Sequence, residues 1–149
     1  MPQSIHPAAP RLRRPWFWAA PALALSLAAC AAGGTQTASL QGTEWRLVEM
    51  DGQPVPERPA ATLFFKEPGQ VTGSGSCNRF FGKVTLSGDQ IGFGQMGSTK
   101  MACAGPAAQL EPRYLTALHH ATRYELKGAE LLIHLKAPQA PLRFARTQP

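Results

Sequence analysis

Between Val71 and Cys103 the chain alternates short apolar runs with glycines at close intervals, and it sets a cysteine near each end, Cys77 and Cys103. That grammar belongs to tight antiparallel strands joined by turns. No cluster of acids, bases or nucleophiles stands out in the stretch. It speaks of architecture more than of chemistry.

The N-terminal residues speak of location. Met1 to Ala29 reads as a secretion signal: Arg11, Arg13 and Arg14 are basic, and Trp16 to Ala29 is an uncharged, mostly apolar run of 14 residues. A spanning helix needs about 20 residues; a signal core does not. The run ends in Leu27-Ala28-Ala29-Cys30, which resembles the bacterial lipobox. The resemblance implies a diacylglyceryl group on Cys30, cleavage before it, and acylation of the new amine. Several acyl chains hold a protein to a bilayer where one anchors only marginally. An ordinary signal with a chance cysteine is the plainer alternative. Ala31 follows, and in bacteria that sort lipoproteins by the second residue this implies the outer membrane, with the domain facing the periplasm.

Charge then changes meaning. Removing 29 of 149 residues leaves 120, with twelve Lys and Arg against nine Asp and Glu, a formal +3. The basic residues form no block, so a nucleic-acid partner is not expected. Cysteine usage changes too. With Cys30 committed to lipid, Cys77 and Cys103 remain as an even pair in an exported chain, where disulfides persist. A bond between them closes a loop of about 25 residues, worth roughly 3.5 kcal/mol by chain entropy. A redox site or metal ligands are the alternatives. Both ask for a C-x-x-C or a His/Asp cluster nearby, and neither is present.

Residues 30–40 are small and polar beyond the cysteine and read as a lipidated flexible tether. The domain is expected over residues 41–147. Strands are predicted over Gly42–Met50, Thr62–Lys66, Gln70–Ser74, Cys77–Leu86 and Gln90–Phe93, then an extended Met96–Met101. Trp45, Leu47 and Glu49 share a face of the first. Phe80, Phe81, Val84 and Leu86 are expected to supply core from the fourth. Pro54, Pro56 and Pro59 forbid regular structure before Ala61. Ala107, Leu110, Tyr114, Leu115, Leu118 and Ala121 recur at helical spacing, with Pro112 placing the helix start near Glu111. Arg123–Leu126, Glu130–Leu135 and Leu142–Ala145 complete the chain as strands. The class is α+β, mainly antiparallel β, with one helix.

Three segments now carry a family likeness: Gly42-Thr43-x-Trp45-x-Leu47, Gly73-x-Gly75-x-Cys77-Asn78-x-Phe80-x-Gly82, and Gly97-Ser98-Thr99-Lys100-Met101-Ala102-Cys103. Together they resemble the META domain of the HslJ-like heat-shock lipoproteins. The resemblance implies a small cracked or lipocalin-like barrel with one helix packed across it. It also implies an envelope location and links to stress or antibiotic tolerance. It brings no established reaction and no catalytic residues. Within it Gly42, Thr43, Trp45, Gly75, Asn78, Gly82, Thr99 and Met101 have structural readings. Asn78 can satisfy the backbone of a bend or adopt a left-handed conformation. The Thr99 hydroxyl can bind a neighbouring turn. The Trp45 indole N–H is expected to find a partner.

Chemistry is thin elsewhere. His119-His120 and His134 lack the i, i+4 spacing and acidic partners of a metal site. Ser74, Ser76 and Ser98 lack a nucleophile elbow. No enzymatic activity, cofactor or metal is expected, and the domain is expected to be a monomer. The leading reading is an envelope lipoprotein acting as a binding or stress-protective module. The alternative is a carrier whose barrel holds a small apolar ligand among Phe64, Phe65, Phe80, Phe81, Phe93 and Leu110–Leu118. At this size side chains are expected to fill the interior.

Overall fold

The computed structural model describes residues 39–147; the signal, Cys30 and the tether as far as residue 38 lie outside the described residues, while Leu40, placed in the tether by its sequence, is buried in the core because it packs with the barrel. Nine strands and one helix follow in order. They are β1 (Glu44–Met50), β2 (Gln53–Pro54), β3 (Thr62–Glu67), β4 (Gln70–Ser74), β5 (Arg79–Ser87), β6 (Gln90–Ser98), α1 (Gly105–His119), β7 (Ala121–Lys127), β8 (Glu130–Leu135) and β9 (Leu142–Arg146). From β3 onward each strand pairs antiparallel with the next, β1 pairs with β3, and β9 returns to β1. Eight strands thus close a barrel, and β2 is a short hairpin appended to β1. Closure removes sheet edges. The thinnest seam is β6 to β7, registered only at Gln90 opposite Arg123 and strengthened by the Tyr124 N–H donating to the Asp89 carbonyl at 2.8 Å.

Alternation fills the interior. Trp45, Leu47, Leu63, Phe65, Val71, Phe80, Leu131, Ile133, Leu142 and Phe144 are buried from the strands, and Leu110, Tyr114 and Leu118 from the helix. The Tyr114 ring stands edge-on to Phe80 at 6.0 Å and tilted against Phe144 at 6.2 Å. Its hydroxyl donates to the Thr62 carbonyl at 3.2 Å. One helix side chain therefore touches β3, β5 and β9, and burial pushes its phenol well above the ordinary value of 10.0. On the surface, Arg113 reaches Asp51 at 2.6 Å and ties the helix to the β1–β2 turn. No described helix is long and apolar enough to cross a membrane.

Several expectations are corrected. Pro54 does join a strand, at an outer hairpin where its missing N–H costs nothing. The helix starts at Gly105, with Pro106 in its first turn and Pro112 inside it. Met50, not Glu49, is buried, because a bulge between Leu47 and Glu49 shifts β1 against β9. Phe81 and Leu86 are exposed rather than core. Neighbours along a strand face opposite ways, so Phe80 pointing in sends Phe81 out. The Trp45 indole N–H is buried and has no hydrogen-bond partner among the described residues. The ring instead lies under the Arg146 guanidinium, 5.6 Å from its centroid.

Candidate functional site

The motif residues fall into two groups. The first guards the entry of the chain. Gly42 takes a left-handed conformation, φ 71°, and its N–H donates to the Phe65 carbonyl at 2.9 Å. The Thr43 hydroxyl donates to the Ser39 carbonyl at 3.0 Å. Trp45 follows as the interior anchor of β1. Gly82 stands apart, on β5, where a Cβ would lie 2.8 Å from Met96 Cγ.

The second group converges on Asn78, which is buried. Its Oδ1 accepts from the Met101 N–H at 2.7 Å and from the Thr99 hydroxyl at 2.8 Å. Its Nδ2 donates to Glu111 Oε1 at 3.0 Å, and its own N–H donates to Glu111 Oε2 at 2.5 Å. Its carbonyl accepts from the Gly75 N–H at 2.7 Å. The Thr99 hydroxyl also accepts from the Arg79 N–H at 3.2 Å. Asn78 thus satisfies a bend, as its sequence position suggests, while the left-handed residue nearby is Ser76, φ 86°. A disulfide joins Cys77 to Cys103, Cα to Cα 6.3 Å. Gly75 is needed for space: a Cβ there would meet Glu111 Cγ at 2.6 Å.

Glu111 is the member that sequence reasoning missed. It sits on α1, 33 residues beyond Asn78. Its one sequence signal is that it is the only carboxylate between Asp89 and Glu125. The hub fastens three pieces: the β4–β5 bend, the residue 99–103 strap, and the helix. A carboxylate that accepts from both the backbone N–H and the side-chain amide of one buried asparagine is a strong fastening. Beside it the Ser76 hydroxyl is buried without a hydrogen-bond partner among the described residues. Among the described residues no group of three or more His, Cys, Asp and Glu could hold a metal. His134 pairs with Glu125 at 2.8 Å and His120 with Gln139 at 3.2 Å.

What the hub presents is an outer wall. Glu44, Phe64, Thr72, Phe81 and Gly97 stand opposite one another, strand by strand, from β1 across β3, β4 and β5 to β6. The Phe81 ring covers Gly97, where a Cβ would lie 2.8 Å from its Cζ. Phe81 is 62% exposed, and Met101 on the strap is 60% exposed. A cleft of about 640 Å³ is lined by Phe64, Lys66, Thr72, Arg79, Phe81 and Met101. A second, of about 700 Å³, lies on the far side of Phe81 against Lys83 and Gln95.

The walls differ in charge. On β7, β8 and β9 most of the charges are paired: Glu125 meets Arg123, Lys127 and His134 within 2.9 Å, and Arg143 meets Glu130 at 2.8 Å, while Arg146 lies over the Trp45 ring. Lys127 first, then Arg123 and His134, lower the Glu125 carboxyl to about 2. On the Phe81 wall Lys66, Arg79 and Lys83, with Lys100 on the strap, are exposed and pair with no carboxylate among the described residues.

Comparison with known proteins agrees with this architecture. The family model described as META domain matches residues 38–149. An NMR structure of a protein from Burkholderia xenovorans is similar, with 27% identity and a TM-score of 0.61 over 74% of this chain and 85% of that one. A second NMR structure matches with 27% identity and a TM-score of 0.59, over 71% of this chain and 90% of that one. A crystal structure of a duf4847 family protein from Bacteroides vulgatus, 17% identical, shares the fold, with a TM-score of 0.54 over 71% of this chain and 93% of that one. No curated protein matches.

Proposed function

The chain belongs to the META domain family, and from that membership we propose that it works without catalysis, as a lipid-anchored cell-envelope module that binds through the outer wall of its barrel. In that setting it serves envelope stress or antibiotic tolerance, anchored at Cys30 to the outer membrane. One observation carries the reading: the division of apolar side chains. Trp45, Leu47, Tyr114 and Phe144 are fully buried, while Phe81 and Met101 remain largely in water on one outer face. A monomer exposes such groups together chiefly where something docks. A carrier would need the space those interior rings occupy.

The test places a photo-crosslinking benzoylphenylalanine at position 81 and, separately, at exposed position 122 on the charged wall, in growing cells. Adducts from position 81 and none from position 122 are the expected result. Equal labelling from both walls would contradict it.

A further inference from the structure

Resting on the outer-wall reading above, we propose that this wall makes a second, protein-borne contact with the membrane, docking on anionic phospholipid headgroups. Three features point there. Apolar Phe81, Met101 and the half-buried Phe64 lie among the exposed cations Lys66, Arg79, Lys83 and Lys100. Apolar side chains that enter the headgroup layer, ringed by cations that bind its charge, are the composition of an interfacial surface. Those cations have no carboxylate partners among the described residues, whereas Arg123, Lys127 and Arg143 on β7 and β9 are each paired with a carboxylate. Two acids are near: Glu44 lies at the β1 end of the face and lines the Phe64–Met101 cleft, its carboxylate accepting from the Thr147 hydroxyl at 3.3 Å, and Glu67 stands at the rim, holding the Gln70 amide at 3.3 Å.

The third feature is where the chain enters. Gln41 bridges to Phe65 on β3, so the polypeptide joins the barrel beside Phe64 and Lys66. From Cys30 to Leu40 a fully extended tether spans at most about 35 Å. An anchor at Cys30 would therefore keep the domain, this wall included, near the bilayer at high effective concentration. The hub completes the device: the Asn78 bond to the Met101 N–H fixes the strap, so its thioether is held outward.

The native chain carries its own probe, because Met101 is exposed and Met50 is buried. The mature protein is reconstituted in vesicles of phosphatidylcholine alone or with one quarter phosphatidylglycerol. Hydrogen peroxide oxidation of Met101 is followed by mass spectrometry, with Met50 as internal reference. The expected result is oxidation of Met101 about tenfold slower on the anionic vesicles. The protection is expected to vanish near 1 M salt, where screening shortens to about 3 Å, and in the Lys66→Glu/Lys83→Glu variant, whose exposed changes leave the barrel intact. Equal rates on both vesicles would overturn the proposal, as would protection indifferent to salt and to the variant. Protection that appears only with an acidic protein added would overturn it in favour of a protein partner. Flotation in high salt reads the lipid anchor separately. A chain that fails to float loses the Cys30 reading, and the oxidation contrast with excess vesicles still decides the wall.

Discussion

Asn78 and Glu111, 33 residues apart, meet through both of their ends: the carboxylate takes the Asn78 N–H on one oxygen and the Asn78 amide on the other. Through Asn78 the same contact reaches Thr99 and Met101. Glu111→Gln puts an amide N–H against one of these donors and is expected to cost about 1–3 kcal/mol. Asn78→Ala and Glu111→Ala are expected to couple by about 0.5–3 kcal/mol in a double-mutant cycle, since they share one network. Denaturant midpoints measure both. Strict additivity would mean the two side chains do not act together.

Glycines separate by space, not by kind. A Cβ on Gly73 would lie 2.1 Å from the Thr62 carbonyl oxygen, with the Phe80 ring at 2.8 Å, whereas one on Gly92 meets nothing within 4 Å. Gly73→Ala is expected to destabilise by about 1–3 kcal/mol. Gly92→Ala is expected to be neutral or to stabilise by up to about 1 kcal/mol. Thermal unfolding of the two variants side by side checks the contrast.

Acid stability follows from Glu125. Its carboxyl titrates at about 2 in the fold against an ordinary 4.5, held down first by Lys127 and then by Arg123 and His134. A depressed carboxylate contributes stability above its unfolded value and loses it as pH falls through the folded one. The Glu125 contribution is thus present above about pH 4.5 and fades between there and pH 2. Unfolding midpoints across that window are expected to fall less steeply in Glu125→Gln than in the parent.

Reduction of Cys77–Cys103 removes a cross-link over 26 residues. The expected loss is about 3.5 kcal/mol, measured by denaturation with and without reductant. Because the Met101 N–H is held by Asn78 and not by sulfur, its hydrogen-exchange protection is expected to persist in the reduced, folded protein.

Much of the barrel was legible because period-two alternation and turn residues are local signals. Glu130–Leu135 alternates buried and half-buried along its whole length, as read. Misreadings arose where a local signal was silent. The bulge beside Glu49 shifts a register that only the β9 partner reveals. Phe80-Phe81 reads as a core pair until the pleat assigns one ring to each face. Leu86 is exposed at the end of β5, one residue before the Ser87-Gly88-Asp89 turn. Pro112 points to a helix start near Glu111 when only the sequence is considered, yet an exposed site on a helix held by Leu110, Tyr114 and Leu118 tolerates it. For the hub, Asn78, Thr99 and the cysteines stood out in the chain, but Glu111 did not. Its role depends on where α1 lands, which is a tertiary fact.

The central claim is that the barrel is filled and acts from its outside. Native mass spectrometry of the protein, released gently from envelopes, tests it most directly. The account predicts the mass of the bare lipidated chain. A stoichiometric apolar molecule retained inside the barrel, and displaced only on unfolding, would contradict it.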